Sequence, residues 1–132
     1  MANYFYVAIG GALGSVLRFW LSNLIAIRFG ETFPYGTLFV NVTGSFIIGF
    51  FATMTGPGGQ WAAPVGGRVF FMAGICGGYT TFSSFSLQTL GLVQEGEWLY
   101  AGLNALASVA LCLAAVWLGF AAARMFHFSR GG

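Results

Sequence analysis

Charge is nearly absent from this sequence. Of 132 residues only 6% are charged, against about 25% in ordinary soluble domains, and that excludes a hydrated globular surface as the main face of the protein. Lysine and aspartate do not occur: the basic residues are Arg18, Arg28, Arg68, Arg124 and Arg130, and the acidic ones are Glu31, Glu95 and Glu97. A net charge of +2 spread over five arginines makes neither a basic patch for nucleic acid nor a cluster for lipid headgroups. Cys76 and Cys112 lie in apolar stretches without metal-ligand or catalytic spacing and read as small buried hydrophobes. The opening MANYFYVAIG lacks the basic segment of a signal peptide, so the first apolar run is expected to be a retained span.

What is present is apolar: 58% of the residues are hydrophobic. A bilayer core about 30 Å thick needs roughly 20 apolar residues per helix, and four stretches qualify, at about 4–27, 37–54, 69–93 and 99–126. Short connectors with turn chemistry, at 29–34, 55–59 and 95–97, leave no room for a soluble domain. The sequence predicts an all-α membrane protein, a single four-helix transmembrane domain over 1–132 with both termini on one side of a cell membrane. A chain this small does not enclose a pore alone, so oligomerisation belongs to the expectation. Arginine counts orient membrane proteins, but here Arg68, Arg124 and Arg130 fall on one side, Arg28 on the other and Arg18 inside the first span. The bias is weak enough to fit insertion in both directions.

The third span is irregular. Its centre, Cys76-Gly-Gly-Tyr-Thr-Thr-Phe-Ser-Ser-Phe-Ser86, pairs glycines with five Ser and Thr residues and two phenylalanines, which predicts a break at residues 77–80. Broken backbone in a bilayer is tolerated where protein, water or an ion satisfies it, so such spans mark ion or substrate sites. A kink that serves only helix packing is the other reading.

Residues three or four apart share a helix face. Thr37, Asn41 and Ser45 form one polar stripe, Asn104, Ser108 and Cys112 another, and Ser15, Arg18 and Ser22 a third. Beyond the break, Phe82, Phe85 and Thr89 share a face beside Thr81, Ser84 and Gln88. Hydroxyl and small residues also join helices in lipid, and Gly10/Gly14 and Gly11/Ser15 are read as close helix contacts. Asn41 has an amide that donates either to an anion or to another helix. Arg18 either snorkels or faces a wet cavity that attracts anions. Phe82 and Phe85 either pack or present their positive ring edges to an anion.

The apolar stretches contain no Asp, Glu, His or Lys. That disfavours a small multidrug-type four-helix transporter, which needs an embedded carboxylate to exchange protons. It also disfavours an enzyme, since Ser and Cys stand without an activating base. A small-anion channel fits a lining of neutral donors.

Three segments, Gly11-Ala-Leu-Gly-Ser-Val-Leu-Arg-Phe19, Gly36-Thr-Leu-Phe-Val-Asn-Val-Thr-Gly44 and Gly74-Ile-Cys-Gly-Gly-Tyr-Thr-Thr-Phe-Ser-Ser-Phe-Ser86, resemble the Fluc (CrcB) family of fluoride channels over essentially the whole chain. The resemblance implies a dual-topology, antiparallel homodimer with two pores that passively exports fluoride across the inner membrane. By position it makes Asn41, Phe82 and Phe85 pore residues, with Thr37 near them, Ser84 beside them and Ser108 on a polar track of the fourth helix. Arg18 becomes the basic residue of an anion vestibule. Gly77 and Thr80 offer backbone carbonyls to a structural sodium ion (Na+) at the dimer axis. Cys112 and Val116 depart from the longer hydroxyl track that the family pattern leads one to expect.

Overall fold

The computed structural model describes residues 1–129; Arg130, counted above among the orienting arginines, lies outside them. Five helical rods make up the described chain: α1 (Ala2–Phe29), α2 (Tyr35–Thr55), α3 over residues 65–79, α4 (Phe82–Gln94) and α5 (Trp98–Ser129). Three of them, α1, α2 and α5, are long and apolar enough to cross a membrane, and the described chain contains no strand. The rods reach a few residues beyond the apolar stretches because their ends run on until specific backbone signals stop them.

Those signals are visible in the turns. Gly30, at φ 85°, closes α1 by donating its N–H to the Ala26 carbonyl, and Pro34 opens α2. At the end of α4, Gly96 takes φ 80° and donates to Val93 O while Glu97 donates to Leu92 O. That is the paired closure by which a left-handed residue satisfies a helix's last carbonyls.

Packing is inside out relative to a soluble protein. The buried positions are largely small, Ala101, Ala115 and Ala123 among them, while Phe5, Trp20, Leu106 and Trp117 are exposed. In lipid the tails are as apolar as leucine, so helices associate where small residues let backbones approach. The two most extensive contacts, α2 with α5 and α1 with α3, are built this way. A methyl added at Gly10 or Gly14 would strike the backbone carbonyls of Phe70 and Ile75, and one at Gly49 or Gly119 those of Val116 and Phe46. The small-residue spacing read at Gly10 and Gly14 therefore is a close helix contact.

The break in the third hydrophobic stretch falls at Thr80 and Thr81, at the far edge of the expected window of residues 77–80. Both residues are extended, Thr80 at φ −88°, ψ 157° and Thr81 at φ −152°, ψ 123°. Ahead of it, α3 is wound as a π-helix over Val69–Cys76, a form usually confined to single turns near functional sites. Nothing in the apolar string VFFMAGIC signals that winding.

Candidate functional site

A broken helix strands the donors and acceptors on either side of the gap, and in this protein three side chains replace them. In a continuous helix Thr81 N–H would bond the Gly77 carbonyl. Here it donates to Asn41 Oδ1 at 2.7 Å, while Asn41 Nδ2 donates to Thr81 O at 2.9 Å. One carboxamide thus closes both backbone groups of a single residue, as a neighbouring strand would. Arg18 Nε donates to Gly78 O at 3.0 Å, placing a cation at the carbonyl end of α3, where the helix dipole favours it. Thr81 Oγ1 accepts Ser84 N–H at 3.1 Å and so caps the start of α4. Both Asn41 and Arg18, each with two readings in the sequence, complete backbone that would otherwise lie bare in the membrane.

Further bonds hold the same region. Tyr79, buried on the last turn of α3, shares a 2.8 Å hydrogen bond with Thr43 Oγ1, and Thr80 Oγ1 turns back to Cys76 O. A methyl on Gly44 would collide with the Thr80 side chain, so this α2 position must be small for the break to seat against it. Across the bundle, buried Asn104 donates to Thr89 Oγ1 at 2.9 Å, and Ser108 Oγ lies 3.4 Å from Asn104 Oδ1. The stripes of α4 and α5 therefore face each other. Their separate spacings were legible, but not that they meet.

These elements border an open groove of about 400 Å³. It gathers Asn41, Phe82, Phe85 and Ser108 from three different helices, with Gly77 and Thr80 at the break beside them. The Phe82 and Phe85 rings lie 5.4 Å apart, tilted by 50°, and Phe82 is 77% exposed. No charged residue lines the groove. What it presents is neutral: amide and hydroxyl groups, backbone at the break, and aromatic rings.

The remaining expected residues lie elsewhere. Thr37 is buried and lines a second cavity of about 330 Å³. Ser84 contributes its N–H to the α4 cap, and Arg18 is engaged with Gly78; neither lines either cavity. Thr81 and Thr43 escaped the sequence reading as structural partners. A threonine three residues ahead of Ser84, at the start of a helix, was the available signal for Thr81; Thr43 carried none.

Residues 5–120 match the family described as CrcB-like protein, Camphor Resistance (CrcB). The chain is 62% identical over 123 residues to the fluoride-specific ion channel FluC of Opitutus terrae, covering 93% of both chains. It is 60% identical to the FluC of Rhodospirillum rubrum, with 95% of this chain and 97% of the relative covered. To that of Paramagnetospirillum magneticum it is 58% identical, with 96% and 99% covered.

Proposed function

This chain belongs to the CrcB family, and from that membership we propose that it is a multi-pass, fluoride-specific ion channel of the inner membrane, working as an antiparallel homodimer with two pores. The named relatives are fluoride-specific ion channels, which replaces both the transporter and the enzyme among the readings open to the sequence. In this reading the broken rods α3 and α4 together form the third of four crossings of the bilayer, between α2 and α5.

The observation that carries the mechanism is the uncharged groove that joins Asn41, Phe82, Phe85 and Ser108. Fluoride entering it must exchange water for replacement donors that hold it weakly enough to let go. Asn41 spends one N–H on Thr81 O and has a second to offer. The Ser108 hydroxyl and the positive edges of Phe82 and Phe85 supply further partners. Because the groove is open in the single chain and Phe82 is largely exposed, a second subunit closes it. Arg18, tied to Gly78, acts in this reading by holding the break and by its positive charge rather than as a freely mobile vestibule cation.

Sodium fits the residues present. Asn41 takes the N–H that would otherwise serve the Gly77 carbonyl, and among the described residues the Thr80 carbonyl accepts no hydrogen bond. Backbone oxygens of this kind suit a hard cation, and two from one chain leave room for the same two from its partner. Bound there, sodium would supply fixed positive charge that ties the two breaks together.

Purified protein in liposomes, followed with fluoride- and chloride-selective electrodes under a potassium-valinomycin potential, tests the reading. Rapid fluoride efflux with negligible chloride efflux is expected; a well-folded dimer that passes no fluoride would refute it.

A further inference from the structure

The second cavity, about 330 Å³ at the end of the bundle where α1 turns into α2 and α4 ends, is unlike the groove: Glu31 and Glu95 both line it. Among the described residues neither carboxylate is ion-paired. Arg28 and Glu97 are exposed nearby but do not line the cavity. On its inner side stands Thr37, 6% exposed, whose hydroxyl has no hydrogen-bond partner among the described residues. A buried hydroxyl without a partner is costly, and its place on a cavity wall points to something passing or binding there.

This cavity lies one helical turn from the groove. On α2, Thr37 lines the cavity and Asn41, four residues on, lines the groove; on α4, Gln88 lines the cavity and Phe85 the groove. Between the two, buried Asn104 donates to half-buried Thr89 and leads to Ser108. Polar groups therefore continue from one space to the other on three helices.

Resting on the fluoride-channel reading, we infer that this cavity is a mouth of the fluoride path and that Glu31 and Glu95 throttle entry by repelling the anion before it reaches Thr37. Two carboxylates at the mouth of an anion channel lower the local fluoride concentration and bring entry under the control of ionic strength. Each elementary charge about 6–10 Å away across water alters entry by about twofold to threefold. Screening is weak at about 10 mM salt, where the Debye length is about 30 Å, and strong at physiological salt, where it is about 8 Å.

The test is fluoride efflux from uncharged phosphatidylcholine vesicles for the unaltered protein, the Glu31→Gln, Glu95→Gln double variant and Thr37→Val, each at about 10 mM salt and at high salt. The double variant is expected to be about fourfold to ninefold faster at low salt and equal to the unaltered protein at high salt. Thr37→Val, which keeps the shape and removes the hydroxyl, is expected to be slower at both. If the unaltered protein conducts and the double variant matches it at both salts, or if Thr37→Val conducts normally, the cavity is no mouth and the inference falls alone. If the unaltered protein carries no fluoride, the channel reading falls and the inference with it.

Discussion

Asn41 makes two bonds to one backbone residue, and substitution separates its structural part from its part in transport. Asn41→Ala removes both bonds, leaves Thr81 N–H and C=O without their partner, and is expected to lower stability by about 1–3 kcal/mol, read as thermal unfolding in detergent. Unchanged stability would mean that water replaces the carboxamide. Asn41→Asp keeps the acceptor for Thr81 N–H but loses the donor and places a carboxylate on the groove wall. It is expected to stop fluoride efflux, and normal efflux would take Asn41 out of the path. The rings offer a milder test. If each contributes to the barrier with the strength of an edge-on aromatic contact, about 0.5–1.5 kcal/mol, Phe82→Ile and Phe85→Ile should each slow fluoride roughly twofold to tenfold with the dimer intact. Unaltered flux in both would remove the aromatic edges from the mechanism.

Among the elements, the contact between α1 and α3 decides whether the break is held at the right height. Gly14→Ala would drive a methyl into the Ile75 carbonyl, with Tyr79 N at 2.9 Å, whereas a methyl at Gly11 meets nothing within 4 Å. Backbone cannot yield as a flexible side chain does, so Gly14→Ala is expected to destabilise by about 1–3 kcal/mol, and Gly11→Ala to leave stability unchanged or slightly raised through helix propensity. Equal losses in the two unfolding curves would show that α1 packs differently. This contact was legible beforehand, because small residues four apart have one common use in lipid. So was the break, from paired glycines running into hydroxyls. Its bonding was not: Asn41 and Thr81 are forty positions apart and Arg18 and Gly78 sixty, and spacing along one helix says nothing about which backbone group a side chain on another will reach. The π winding of Val69–Cys76 was hidden for a different reason. A run that is apolar at nearly every position has no periodicity from which to read the number of residues per turn.

At the scale of the whole molecule, the groove opens on the outside of a chain whose exterior is otherwise built for lipid. Left there, the amide and backbone groups around the break would face hydrocarbon that cannot bond them, and that is the physical ground for the covering subunit proposed above. Antiparallel pairing in turn requires each chain to insert both ways, and the charges permit it: Arg68 and Arg124 stand at one end of the bundle and Arg28 at the other, with no lysine to strengthen either side. Because orientation follows the arginine tally near the ends of the spans, a few substitutions at exposed positions in or beside the turns should lock it. Pro57→Arg with Ala62→Arg loads one end, and Gln94→Arg with Glu97→Arg loads the other. Each variant expressed alone is expected to insert in a single orientation, as read by reporters fused to its C-terminus, and to give no fluoride efflux, since every partner it meets points the same way. Expressed together, the two should restore efflux. Full activity from either one alone would eliminate the antiparallel dimer and leave a parallel assembly to cover the groove.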